Sequence, residues 1–177
     1  MKYTQILRGS SFSKIILPLK KIKKMTDVEI LDYKPEYQND FRDLNLRWIE
    51  KYFKVEATDE EQLNNAKELI LDQGGHIYFA RLDGQIVGTI GLIKDGEKLY
   101  EIVKMAVDPK AQGKQIGKKL LLHAIEKARA LGGTKIWLES NTVLEPAIAL
   151  YRKVGFYEVE KQPTPYARSN IRMDLDL

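Results

Sequence analysis

The stretch with the clearest chemical content is Val107-Asp-Pro-Lys-Ala-Gln-Gly-Lys-Gln-Ile-Gly-Lys-Lys-Leu120. An apolar run stops at Asp108-Pro109, a glycine-containing turn follows, and a helical pattern begins. Such a turn aims several backbone N–H groups at one point, and the helix dipole adds positive potential there. It is an anion cradle suited to a pyrophosphate. Gly113 and Gly117 would let the chain approach a ligand closely, and Lys114, Lys118 and Lys119 add charge nearby. The spacing matches neither Gly-x-Gly-x-x-Gly nor Gly-x-x-x-x-Gly-Lys-Ser/Thr. An ordinary strand-to-helix turn with solvated lysines is the competing reading.

Two further residues could move protons. Glu101 falls within the run Lys98–Val107, where strict alternation would place it on one strand face with Leu99, Val103, Met105 and Val107. A carboxylate on such a face is partly desolvated, which raises its pKa toward that of a useful base. The competing reading is a strand-end glutamate in solvent or paired with a lysine. Tyr151 lies on an amphipathic helical pattern and reads equally as a core aromatic. Other chemistry is poorly supplied. The chain has no cysteine and only His76 and His123, so thiol nucleophiles, disulfides and thiolate metal sites are excluded and imidazole metal sites are not expected.

The elements that must position these groups follow from periodicity. Val28–Tyr33 alternates as a first strand. Pro35 opens a helix to about Tyr52, and Thr58 with Glu61 reads as the capping box of a second helix running to about Asp72. His76–Leu82 and Gln85–Ile93 form a hairpin about Asp83-Gly84, and Lys98–Val107 is the longest strand. Apolar positions from Ile116 to Leu131 mark a helix. Lys135–Glu139 is a strand, residues 146–154 a helix closed by Gly155, and Phe156–Glu160 and Ile171–Leu175 are the last strands. The expected fold class is α/β, with a mixed, mostly antiparallel central sheet of six to seven strands and helices on both faces.

The 177 residues suit one domain. Residues 1–24 hold seven basic side chains and no acid, so the net charge of +4 becomes −3 for residues 25–177. The basic balance therefore belongs to the first residues and argues weakly for nucleic acid. Residues 1–25 are expected to be a disordered extension, with Met25 an alternative translation start, and 26–177 a single domain. The longest apolar run there, Ile15-Ile16-Leu17, is too short for a signal core or a membrane span.

With these residues in place, the chain resembles the GNAT superfamily of N-acetyltransferases. Its acetyl-CoA signature, Gln/Arg-x-x-Gly-x-Gly/Ala, is similar to Gln112 through Gly117, with Gln115 standing where the first signature glycine would be. Tyr100-Glu-Ile-Val-Lys-Met-Ala-Val107 resembles the family's fourth strand, Leu138-Glu-Ser-Asn141 the end of its fifth, and Leu150-Tyr-Arg-Lys-Val-Gly-Phe156 a segment near its C-terminus. The resemblance covers residues 28–177. It implies acetyl-CoA as cosubstrate, without a metal, held by Gln112, Gly113, Lys114, Gln115, Ile116, Gly117 and Lys118 at the phosphates. It also implies Met105, Ala106 and Val107 along the pantetheine, with Asn141 and Tyr151 as further contacts. Tyr151 would be the acid for the leaving thiolate, and Glu101 the base, as in some members, while others use a water chain. The acceptor would be a small-molecule or peptide amine, attacking directly in a ternary complex. Trp48, Tyr52, Phe53, Tyr166 and Arg168 are candidates for its site, with Arg168 suited to a carboxylate. A cytoplasmic enzyme with no nucleic-acid or membrane partner is expected, and a homodimer is compatible with the sequence. A CoA-binding module without activity remains the alternative.

Overall fold

The structure, a computed structural model, describes residues 28–177. The basic segment 1–25, Met25 included, thus lies outside the described residues. Seven strands form one sheet in the order β1-β2-β3-β4-β5-β7-β6: β1 Glu29–Asp32, β2 His76–Leu82, β3 Gln85–Lys94, β4 Leu99–Val107, β5 Lys135–Ser140, β6 Tyr157–Val159 and β7 Ile171–Asp176. Every neighbouring pair is antiparallel except β4–β5. The expected mixed, mostly antiparallel sheet is therefore found.

Two cores sandwich the sheet. Helices α3 (Ile116–Ala130) and α4 (Glu145–Val154) cover one face, where Leu120, Leu121, Ala124, Ile148 and Tyr151 pack on Tyr78, Ile90, Ile102, Ile136 and Met173. Helices α1 (Gln38–Tyr52) and α2 (Ala57–Asn64) cover the other, where Phe41, Ile49 and Leu63 pack on Ile77 and Phe79. The alternation of β2 feeds both cores, as period-two patterning requires.

Two local expectations need correcting. The capping box of α2 is formed by Glu56 and Asp59, not by Thr58 and Glu61. Asp59 accepts the Glu56 N–H at 3.2 Å. The second helix also does not run unbroken to Asp72; it stops at Asn64 and resumes as a π-helical turn over Lys67–Leu71.

A third correction bears on the site. Lys104 has φ +49°, and the β3–β4 register shifts beside it. This bulge inserts an extra residue and reverses the alternation beyond it. Val103 packs toward α1 and α2, whereas Met105 and Val107 pack toward α3 and α4. Glu101 therefore shares a face with Val103 but not with Met105 and Val107, as unbroken alternation had implied.

Candidate active site

β4 and β5 pair only over Leu99↔Lys135 to Ile102↔Leu138. Beyond Ile102 the strands diverge, and the facing backbone of β4 from Val103 to Val107 has no strand partner on that side. The gap opens a cavity of about 870 Å³ that runs from one face of the sheet to the other.

The α3 end of the cavity has the electrostatics that suit an anion. Gln115, the N-cap of α3, makes no side-chain cap bond, and the first turn holds no acid. The leading N–H groups of the helix are therefore left for a ligand. Gln112, Gly113, Gln115, Ile116, Gly117 and Lys118 all line the cavity. Lys114 is not among the lining residues, and the Ala106 side chain is buried, which leaves only its backbone for the contact expected there.

The departure at Gln115 has a measurable cost. Its φ is +59°, the left-handed region that favours glycine. Gln115→Gly is expected to raise stability by ~1 kcal/mol or slightly more. Equilibrium denaturation in urea checks this, and an unchanged midpoint would show that the strain is relieved elsewhere. Gly117 is tight for space instead, against the flexible end of one side chain. A Cβ there would lie 3.1 Å from Met105 Cε, so a larger residue crowds the wall where the arm of a ligand would pass, rather than the phosphate end.

At the middle of the cavity, α4 presents Tyr151, whose hydroxyl lies 3.9 Å from Met105 Sδ. Tyr151 is largely buried, beside Phe156. That burial pushes its phenol up to about 12, so it stays protonated and can donate. Asn141 also lines the cavity, but its amide is occupied locally. Its Nδ2 donates to the Arg168 carbonyl at 2.6 Å, and its Oδ1 accepts the Val143 N–H at 2.9 Å. It ties the end of β5 to the β6–β7 loop.

On the α1 side lies Glu101, which lines both this cavity and a smaller one of about 240 Å³ under Pro163–Tyr166. Burial, with Asp95 and Glu139 nearby, pushes its carboxyl up to about 8. The folded state thus holds a proton that the unfolded chain releases at ordinary carboxylate pH. That contribution to stability is complete below the unfolded value of 4.5 and is lost as pH rises to about 8. Glu101→Gln should therefore melt higher than the parent at pH 8.5 and nearly match it at pH 4.5. A melting difference independent of pH would show that Glu101 is not desolvated.

A buried charge network that sequence reasoning missed closes this side. Asp59, fully buried, accepts from Lys104 Nζ at 2.7 Å and from both terminal nitrogens of Arg168, at 2.6 and 2.8 Å. Arg168 also reaches Glu56 at 3.0 Å. Burial raises the Asp59 carboxyl, but the hydrogen bonds from Arg168 and Lys104 outweigh it and hold the group below the usual carboxylate range. Tyr166 receives a bond from Lys104 at 3.3 Å and donates to Gln62 at 3.2 Å. Arg168 lines the cavity, yet its fork is committed to Asp59 rather than free for a substrate carboxylate. Among the described residues no cluster of His, Asp and Glu could hold a metal ion, and no helix is long and apolar enough to cross a membrane.

Residues 37–156 match the acetyltransferase (GNAT) family. The chain belongs to that family. It is 36% identical over 95 residues to the uncharacterized N-acetyltransferase YjgM of Escherichia coli (strain K12), a match covering 51% of this chain and 57% of YjgM. The chain thus spans about half the length of the curated relatives it matches. Among solved structures, a GNAT-family acetyltransferase from Staphylococcus aureus Mu50 superposes with a TM-score of 0.78 at 25% identity, over 85% of this chain and 99% of that one. The PaiA N-acetyltransferase of Thermoplasma acidophilum, solved in complex with coenzyme A, gives a TM-score of 0.68 at 18% identity, over 85% and 99%. The GNAT sheet, its splayed β4–β5 pair and the α3 cradle are thus one arrangement in this chain.

Proposed function

We propose that residues 26–177 form an N-acetyltransferase domain that moves an acetyl group from acetyl-CoA to a primary amine by direct attack in a ternary complex. The observation that carries this reading is the cavity through the splay. It puts the uncapped start of α3, the Tyr151 hydroxyl and the Glu101 carboxylate around one channel that opens on both faces of the sheet.

The residues present fit acetyl-CoA. The free N–H groups at Ile116, Gly117 and Lys118 suit its phosphates, and the unpaired β4 edge from Met105 to Val107 suits its amide-bearing arm. Acetyl-CoA supplies the activated thioester. Glu101, once ionised, takes the proton from the amine as it attacks the carbonyl. A β4 backbone N–H in the splay holds the oxyanion. The Tyr151 hydroxyl hydrogen-bonds to the departing sulfur, which loses its bond to the acetyl carbon. With its phenol near 12, complete transfer to a thiolate of ordinary pKa runs uphill, so Tyr151 acts chiefly as a donor to the developing charge. The absence of cysteine leaves no thiol for an acyl-enzyme intermediate.

Thermal denaturation tests the foundation of this reading. Acetyl-CoA at about 100 times its Kd should stabilise the protein by ~2.7 kcal/mol, seen as a rise in Tm. Gly117→Val should lower affinity for acetyl-CoA at least tenfold by crowding the wall at Met105. No shift in Tm at millimolar acetyl-CoA would remove the proposal. Binding without acetyl transfer to any amine would make the chain a CoA-binding module instead.

A further inference from the structure

The chemistry of the acceptor can be read from the α1 end of the cavity. There the last turn of α1 brings Trp48, Tyr52 and Phe53 to the wall. Their ring centroids are 5.8–6.3 Å apart and tilted by 48–53°. The rings form a concave cluster rather than a flat stack, and Tyr52 remains 44% exposed. Large apolar rings left open at a cavity mouth gain most when a ligand covers them.

The charges at this end are already balanced. Lys104 and Arg168 are the cations facing it, and Asp59 and Glu56 neutralise both. The Lys104 side chain is only 5% exposed, so it cannot swing out to a new partner. Lys51 lies 4.9 Å from the Tyr52 ring centroid but is not among the residues lining the cavity. Lys118 and Lys153 line the opposite end, beside α3 and α4. In the smaller cavity the cation is Arg172, which is held by Asp174 at 3.3 Å and stacked 4.1 Å from the Trp137 ring centroid. A carboxylate on the acceptor would find no unspent cation near Glu101, and would meet Glu101 and Glu139, the two carboxylates that line the cavity. A second ammonium group would find Glu56 and Asp59 already paired, with Glu139 the one lining carboxylate besides Glu101.

We propose that the acceptor is a primary amine on an aromatic or apolar body without a carboxylate, seated against Trp48, Tyr52 and Phe53 with its nitrogen at Glu101. This inference rests on the acetyltransferase reading and narrows its substrate class. The cavity of about 870 Å³ must hold the pantetheine arm and the acceptor together. Its size favours a single small body over a folded protein surface.

The test uses the full chain at saturating acetyl-CoA, with thiol release followed for four acceptors: phenethylamine, ethylamine, phenylalanine and spermidine. Phenethylamine should exceed ethylamine in kcat/KM by about 10–100-fold, the factor expected for burying one phenyl group. It should exceed phenylalanine and spermidine by at least as much. Tyr52→Ala, at an exposed position where folding is not at stake, should narrow the phenethylamine-to-ethylamine ratio about tenfold through the acceptor KM. The KM for acetyl-CoA should stay the same in that variant. Preference for phenylalanine or spermidine overturns the inference while leaving acetyl transfer standing. So does an unchanged ratio in Tyr52→Ala. No transfer to phenethylamine overturns it as well, and if acetyl-CoA also fails to raise Tm, the function beneath it falls too.

Discussion

Tyr151→Phe is expected to lower kcat by ~10²–10³-fold, the range typical for loss of one hydrogen-bond donor to charge that develops in the transition state. The substitution removes one oxygen and keeps the ring packed against Phe156. The lost oxygen is the one 3.9 Å from Met105 Sδ, in the channel where the departing sulfur would lie. Affinity for acetyl-CoA should change little, so the defect should appear in kcat rather than in binding. Steady-state kinetics with a saturating amine and a parallel binding measurement separate the two. Because burial keeps the phenol neutral up to about pH 12, the defect should persist across the neutral and mildly alkaline range. A fully active Tyr151→Phe enzyme would mean that water serves the leaving sulfur, and the tyrosine would then be a core aromatic that happens to border the channel.

The second large effect is on stability. Asp59→Ala is expected to cost ~3–5 kcal/mol, because it strands the buried Lys104 ammonium and leaves Arg168 with Glu56 alone. Asp59 is fully buried, and Lys104 and Arg168 both point their charge at it. Denaturant midpoints for the variant and the parent check the figure. The same carboxylate sets a pH dependence. Its folded-state pKa lies below the unfolded one. Its contribution is therefore intact above the ordinary carboxylate range and lost as pH falls through the folded value. A loss below ~1 kcal/mol, the worth of a surface pair, would show that water enters the network.

That network also shows where local reading of a sequence stops. The α3 cradle was legible because a strand end, a glycine-bearing turn and a helical period lie side by side between Val107 and Leu120. The sheet was legible from alternation and turn residues, and Glu101 from its place in an apolar run. Two features were hidden for a physical reason. Asp59 meets Lys104 and Arg168 from 45 and 109 residues away, and no local period encodes that contact. The bulge at Lys104 left one visible trace, a lysine amid Glu-Ile-Val-Lys-Met-Ala-Val, where alternation alone demands nothing charged. Taking that lysine as an interruption of the strand would have put Met105 and Val107 on the correct face. Gln115 is the converse case. Its spacing marked it as a glycine position, and its backbone conformation is the one that glycine adopts freely.

The short β4–β5 pairing has a consequence for how the molecule holds together. Only four register pairs stitch β1–β4 to β5, β7 and β6. Beyond them, a ligand in the gap would take the place of a missing strand, offering its amides to backbone groups that otherwise face each other across empty space. The cosubstrate would then be mortar as well as reagent. Without it, the two halves are joined through those four pairs and through the core that α3 and α4 pack across the sheet.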